Sequence, residues 1–169
     1  MPIIANLVIG RDGGTTVEGR SAPLSSALDR KRFHELRAVA DAIVIGGQTA
    51  RIEPYGKTPV PLIVVTKSSQ LPGPVGSNPY LQISNRSIPE TLRSAGMQFN
   101  TLLIEAGANF VAEALVEKLI DDLFITQVQT PAAAPFFDYS SLGSEFTLVE
   151  REGSDGEEFL HYARLPQNG

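Results

Sequence analysis

The stretch LLIEAGANF, residues 102–110, joins a short apolar run to the start of an amphipathic segment. Leu102, Leu103 and Ile104 form the continuous apolar run that is typical of a strand buried on both faces. Residues 107–110 predict the first turn of a helix. The junction, Glu105 followed by small residues, has two explanations: a tight turn, or a site where an anion rests on the free N–H groups of the helix start.

Apolar runs and helical patterns alternate along the rest of the chain. The predicted strands are 3–9, 42–45, 62–66, 80–84, 101–105, 123–129, 146–151 and 158–164. The predicted helices are 25–40, with Ser25 or Ser26 as the N-cap, 88–95, 108–119 and a short one after Gly46 and Gly47. The loops rich in Pro, Gly and Ser are 68–79 and 130–145.

This order of elements predicts an α/β fold. We expect a mostly parallel, eight-stranded mixed sheet with about four flanking helices, closed by a C-terminal antiparallel hairpin whose turn is GSDG. The length of 169 residues suits a single domain, residues 1–169.

The composition excludes several classes of function. A net charge of -5 argues against nucleic acid as a partner, because phosphate binding needs a basic surface. The absence of cysteine excludes disulfides and thiolate metal sites, and two distant histidines make no metal site. No apolar run approaches the ~20 residues of a membrane span, so a soluble, cytoplasmic protein is expected.

Three strand ends carry groups that suit an anionic ligand. DAIVIGGQT and TLLIEAGAN each run from a strand through small residues into a helix, although neither matches GxGxxG or GxxxxGK[ST]. The strand LIVVT is followed by Lys67, Ser68 and Ser69, which can hold an isolated phosphate such as the 2′-phosphate of NADPH. Taken singly, each has an alternative explanation, namely close helix–strand packing or a solvated turn. Together they fit a ligand lying across the carboxyl edge of a parallel sheet.

A family resemblance is visible in four segments. They are NLVIGRDG at 6–13, EGRS at 18–21, DRKRFHELRAVADAIVIGGQT at 29–49 and LLIEAGA at 102–108. The chain resembles the reductase domain of the riboflavin-biosynthesis deaminase/reductase, which has the dihydrofolate-reductase-like fold, over nearly its whole length. EGRSAPLSS and TARIEPYG are similar to segments of a stand-alone subgroup. There is no HxE motif and no cysteine, so zinc-dependent deamination is excluded for this chain.

The resemblance implies NADPH as the cofactor and a homodimer as the assembly. Val8 and Pro23 are then expected at the nicotinamide end, and Thr66, Lys67 and Ser68 at the adenosine phosphate. The other implied cofactor residues are Gly46, Gly47, Thr49, Glu53, Gly107, Ala108, Asn109 and Phe110.

The implied substrate is 5-amino-6-(5-phosphoribosylamino)uracil, whose opened sugar forms an imine that takes up a hydride to give a ribitylamine. The resemblance assigns it Ser21, Arg37, Tyr55, Lys57 and Glu105. Glu105 is a candidate catalytic residue, as the proton donor or as the group that orients the pyrimidine. Arg37 either grips the substrate phosphate in a fork or is simply a cation at the C-terminal end of a helix.

Two alternatives remain open. Asp29 with Phe33 one turn later resembles the acid–aromatic pair of dihydrofolate reductases, which suggests a pterin as substrate. Asn6, the second candidate catalytic residue, stands where many relatives carry lysine, and Pro23 replaces a frequent tryptophan. Because of these two departures, a third hypothesis is a relative that binds a nucleotide but catalyses no reaction.

Overall fold

A computed structural model describes residues 2–167 of the protein. The strands are β1 Ile3–Ile9, β2 Gly14–Thr16, β3 Ala42–Gly46, β4 Leu62–Val65, β5 Leu81–Ser84, β6 Leu102–Ile104, β7 Asp122–Gln127, β8 Ala133–Phe136, β9 Phe146–Ser154 and β10 Glu157–Arg164. The helices are α1 Ala27–Val39, α2 Gly47–Ile52, α3 Ile88–Gly96 and α4 Ala108–Val116. Short 3-10 turns cover Ala22–Leu24, Pro74–Ser77 and Tyr139–Leu142.

Eight strands form the main sheet in the order β5-β4-β3-β6-β1-β7-β10-β9. Every neighbouring pair from β5 to β7 is parallel, whereas β10 is antiparallel to both β7 and β9. The predicted fold class, a mostly parallel sheet with four helices and a closing hairpin, is confirmed.

The three residues of β6 lie at the centre of this sheet. Leu103 pairs with Ile43 of β3 on one side and with Ile4 of β1 on the other. Leu102 and Ile104 belong to the core that includes side chains of α3 and α4, whereas Leu103 belongs to the core beside α1 and α2. All three are fully buried. Because side chains alternate along a strand, the residue after Ile104 is directed to the α1 side.

A small second sheet was missed by the sequence reasoning. β2 pairs with β8. β2 lies in the glycine-rich stretch RDGGTT at 11–16, which predicts a loop, and β8 lies in the predicted loop 130–145. Neither segment has an alternating apolar pattern, so periodicity gives no strand signal. Two side-chain bonds reinforce the pairing: the Thr15 hydroxyl donates to the carbonyl of Pro135 at 2.6 Å, and the Thr16 hydroxyl donates to that of Ala134 at 2.8 Å.

Helix α4 ends three residues earlier than predicted. Lys118 adopts a positive φ of 57°, and the N–H of Leu119 donates to the carbonyl of Ala114. This is a Schellman C-terminus with lysine in the place where glycine is usual, so the sequence offered no stop signal. No helix among residues 2–167 has both the length and the apolar character needed to cross a bilayer.

Candidate functional site

A cleft of about 690 Å³ opens at the carboxyl edge of the parallel strands. The ends of β3, β4 and β6, the start of α4 and one face of α1 contribute to its lining. Ligands of open α/β sheets bind at this edge, because the strands stop there and the helices begin.

A buried ion pair lies in the wall of the cleft. The Arg37 guanidinium donates from Nε to Oε1 of Glu105 and from Nη2 to Oε2, both at 2.8 Å. The Tyr55 hydroxyl donates to the same Oε2 at 2.7 Å. The Glu105 side chain is only 2% exposed and that of Arg37 is 15% exposed. The carboxyl group is therefore an acceptor for three hydrogen bonds in a nearly water-free position.

Local structure explains how these three groups meet. Glu105 follows β6 directly and is directed to the α1 side by strand alternation. Arg37 lies in the last turn of α1, where the helix dipole favours a cation. Its guanidinium carbon is 4.2 Å from the ring centre of Phe33 and 5.4 Å from that of Tyr55. The two aromatic rings hold the guanidinium plane against the carboxylate.

The surroundings fix the charge states of both donors. Burial lowers the pKa of Arg37, but the hydrogen bonds and the charge of Glu105 more than offset this, so the net pKa is raised. Burial raises the pKa of Tyr55 well above its ordinary value of 10.0, and the negative charge of Glu105 raises it further. At neutral pH the site therefore contains a guanidinium cation and a neutral phenol.

A second carboxylate joins the N-terminal loop to the end of α2. Glu53 Oε1 accepts from the backbone N–H of Ser21 at 3.0 Å and from its hydroxyl at 3.1 Å. Arg20 Nη2 approaches Glu53 Oε2 at 3.8 Å, and the Glu53 side chain is 9% exposed. Two residues predicted for different ligands, Ser21 for the substrate and Glu53 for the cofactor, thus bind each other at the cleft.

The helices differ in how they begin. Ser26 caps α1, and Ser87 caps α3 in a capping box with Glu90. In contrast, α2 and α4 follow Gly46 and Gly107, which provide no side-chain cap, and both glycines line the cleft. A Cβ placed on Gly107 would meet nothing within 4 Å. The first N–H groups of the nine-residue helix α4 therefore have room for an anionic partner.

The chain matches a protein-family model over most of its length. The model of the RibD C-terminal domain matches residues 2–130, well over half of the chain. The chain belongs to the RibD C-terminal domain family. This confirms the resemblance found in the sequence.

One curated relative and several solved structures are similar to this RibD C-terminal domain. The chloroplastic riboflavin biosynthesis protein PYRR of Arabidopsis thaliana is 35% identical over 101 residues, which are 55% of this chain and 16% of that protein. Acinetobacter baumannii RibD superposes with a TM-score of 0.78 at 17% identity, covering 98% of this chain and 58% of that one. A pyrimidine reductase-like protein of Corynebacterium diphtheriae gives a TM-score of 0.76 at 20% identity, covering 98% and 92%.

The name of a further structural relative states two enzymatic activities. The diaminohydroxyphosphoribosylaminopyrimidine deaminase/5-amino-6-(5-phosphoribosylamino)uracil reductase of Thermotoga maritima gives a TM-score of 0.73 at 19% identity, covering 97% of this chain and 56% of that one. At sequence identities of 17% to 20%, these solved structures show that the chain shares their fold. The chain spans little more than half the length of two of them and a smaller part of the Arabidopsis protein.

The cleft of this RibD C-terminal domain brings together most of the predicted site residues. Those that line it are Asn6, Val8, Ser21, Arg37, Gly46, Gly47, Thr49, Glu53, Tyr55, Glu105, Gly107, Asn109 and Phe110. Their individual roles stay predictions, as do the homodimer and the cytoplasmic location.

Six predicted residues lie outside the lining: Pro23, Lys57, Thr66, Lys67, Ser68 and Ala108. Ala108 packs into the core, where it is 2% exposed. Thr66 is buried beside α2 and accepts the N–H of Ser68 at 3.2 Å through its hydroxyl. Lys67 between them is exposed.

Several lining residues were not assigned to the family site by the sequence reasoning. Thr15, Thr16 and Pro135 reach the cleft from the small sheet, and Val65 and Ile88 add apolar surface. None of these side chains carries an ionisable group, and only Val65 belongs to a segment quoted for ligand binding, LIVVT, so the three-dimensional structure is needed to identify them. Within residues 2–167, no three His, Cys, Asp or Glu side chains are grouped closely enough to hold a metal ion.

Removing the guanidinium tests the ion pair. Arg37→Met leaves the buried Glu105 carboxylate without its cation, and we expect the free energy of unfolding at pH 7 to fall by about 3–5 kcal/mol. The control is Arg93→Met, which breaks a pair whose side chains are 54% and 43% exposed and should cost less than about 1 kcal/mol. Urea denaturation measures both. Equal losses would contradict the description of Arg37 and Glu105 as a buried pair.

Proposed function

We propose that this chain is an NADPH-dependent reductase that converts 5-amino-6-(5-phosphoribosylamino)uracil to its ribitylamino product in riboflavin biosynthesis. The observation that carries the proposal is the buried Arg37–Glu105 pair in a cleft at the carboxyl edge of the sheet, in a chain that belongs to the RibD C-terminal domain family. The names of the Arabidopsis and Thermotoga relatives support riboflavin synthesis and this reductase step.

The cofactor proposal rests on the start of α4. Its free N–H groups and the open space at Gly107 suit the pyrophosphate of a dinucleotide. Val65 and Ile88 offer apolar surface in the same cleft. These residues fit NADPH, which when bound supplies the hydride that reduces the substrate. Asn109 and Phe110 of the first turn, together with Gly46, Gly47 and Thr49, complete the proposed contacts.

The 2′-phosphate of NADPH is assigned to the segment after β4. Lys67 is exposed there, and Arg51 Nη2 lies 3.5 Å from the hydroxyl of Ser68. Two cations and a hydroxyl near the cleft edge can neutralise and hydrogen-bond a phosphate monoester. Specificity for NADPH over NADH therefore depends on these side chains.

The proposed role of Glu105 is to orient the pyrimidine. Its two oxygens accept from a cation and a phenol, which is the arrangement of a fixed anionic acceptor rather than of a proton donor. Arg37 uses its Nε–Nη2 edge on this carboxylate, which also neutralises its charge, so we do not assign the substrate phosphate to it. Arg30, two turns earlier on α1, also lines the cleft and is exposed, and we assign the phosphate to it.

Asn6 completes the proposed active site. It lines the cleft from β1, where its amide can donate a hydrogen bond to the substrate but cannot release a proton near neutral pH. The proton that the imine nitrogen requires then comes from water. Asn6 is thus a group that aligns the imine, and alignment is a large part of what hydride transfer demands of a protein.

One observation favours a second candidate, reduction of a pterin. Asp29 lines the same cleft and is 4% exposed, with Phe33 one turn later on the same face of α1. Its Oδ2 accepts from the Ser25 hydroxyl at 2.6 Å, which leaves the second oxygen for N–H groups of a heterocycle.

Steady-state kinetics test the proposed reaction. The purified protein should consume NADPH with 5-amino-6-(5-phosphoribosylamino)uracil, and Glu105→Gln should lower kcat about 100-fold with little change in NADPH affinity, because a misplaced substrate reacts slowly. The matched control, Glu117→Gln on the exposed end of α4, should keep full activity. Turnover of dihydrofolate alone would favour the pterin, and NADPH binding without turnover of either would favour a non-catalytic relative.

Cofactor selectivity tests the phosphate assignment. Lys67→Gln should raise the Kd for NADPH about tenfold and leave the Kd for NADH nearly unchanged, because only NADPH carries the extra phosphate. Lys118→Gln, an exposed lysine paired with Glu145, is the control and should change neither. Fluorescence titration of both nucleotides provides the measurement. Equal weakening of NADPH and NADH would remove Lys67 from the phosphate site.

A further inference from the structure

Tyr55 is the third member of the cluster around Glu105, and its hydroxyl is already in use. The residue is 8% exposed, and the hydroxyl donates to Glu105 Oε2 at 2.7 Å. A phenol has one proton to donate, so Tyr55 has none left for a substrate. Its high pKa keeps that proton in place at neutral pH. The resemblance assigned Tyr55 to the substrate, but the geometry directs its donor to Glu105.

The two oxygens of Glu105 accept different numbers of hydrogen bonds. Oε2 accepts from Arg37 Nη2 and from the Tyr55 hydroxyl, whereas Oε1 accepts from Arg37 Nε. Each carboxylate oxygen has about two lone-pair positions. Oε2 is therefore saturated, and Oε1 retains one position. Because Glu105 lines the cleft, its Oε1 can accept one further hydrogen bond, from a ring N–H of a planar heterocycle.

Residues 71–78 pack against Tyr55 and the residue that follows it. Asn78, which is 5% exposed, donates from Nδ2 to the carbonyl of Tyr55 at 2.9 Å and to the hydroxyl oxygen of Thr58 at 3.0 Å. Leu71 and Val75 belong to the same buried cluster as the Tyr55 ring. The next residue, Gly56, packs so closely on this segment that a Cβ would lie 3.1 Å from the carbonyl oxygen of Pro74.

We propose that Tyr55 is a positioning residue that saturates Oε2 of Glu105, so that Oε1 alone faces the substrate as a single acceptor for a ring N–H. Residues 71–78, which contain no strand and line no part of the cleft, act on the active site by fixing Tyr55. The inference rests on the proposed function for its effect on catalysis. The contact between Tyr55 and Glu105 can be tested without any activity.

A double-mutant cycle on folding tests the contact itself. Tyr55→Phe keeps the ring and removes only the hydroxyl, and it should raise the equilibrium constant of unfolding about tenfold, because a hydrogen bond to a charged acceptor is lost. In the Glu105→Gln background the same change should raise it less than about threefold, since the acceptor is no longer charged. Equal factors in both backgrounds would overturn the proposal, whether or not the protein is a reductase.

Kinetics test the consequence for the substrate. Tyr55→Phe should lower kcat about tenfold with the KM for NADPH unchanged, because Oε2 of Glu105 then also accepts and the ring N–H is no longer directed to Oε1 alone. A purely structural loss would lower the number of active sites, counted by NADPH titration, and leave kcat per active site unchanged. Tyr80→Phe, at a tyrosine that is 56% exposed, is the control and should match the wild type. An unchanged kcat per active site would contradict a positioning role, whereas an inactive wild type would contradict only the proposed function.

Discussion

The central strand β6 has only three residues, yet the rest of the site depends on the direction of the residue that follows it. Leu102, Leu103 and Ile104 are buried between β3 and β1, and the alternation of a strand directs Glu105 to the side of α1. A carboxylate in that position needs partners, because burying an unpaired charge is very costly. Arg37, at the end of α1, and Tyr55 provide them.

The ion pair that results need not add to stability. The cost of removing two charges from water can equal the attraction between them, and apolar replacements of buried pairs are often as stable. A pair of this kind in a cleft wall is better explained by what it presents to a ligand. Here the carboxylate lies two residues before Gly107, which gives α4 no side-chain cap, so the fold places a hydrogen-bond acceptor and a helix start with free N–H groups close together in the chain.

Local patterns predicted much of this arrangement. The run at 102–110 predicted both the buried strand and the helix that follows it, and Ser26 was recognised as one of two possible caps of α1. The family resemblance assigned both Arg37 and Glu105 to the site, and both line the cleft. What the sequence did not reveal is that they bind each other, because 68 residues separate them along the chain and no local pattern specifies such a contact.

Other features depend on contacts between distant segments in the same way. The small sheet pairs Gly14–Thr16 with Ala133–Phe136, and its short, weakly patterned strands have no periodicity to detect. The Pro-rich segment at 68–79 was predicted only as a loop, although its Asn78 is buried and holds the backbone of Tyr55. Such roles arise from packing between distant segments, and the pattern of a single segment does not predict them.

The central claim is that one reduced dinucleotide lies across the carboxyl edge of this sheet. Isothermal titration of the purified protein with NADPH, carried out at two temperatures so that a small enthalpy at one of them is not mistaken for absence of binding, tests it most directly. We expect saturable binding to a single site per chain with a negative heat-capacity change, because apolar surface in the cleft is covered. No heat of binding at either temperature would contradict the account.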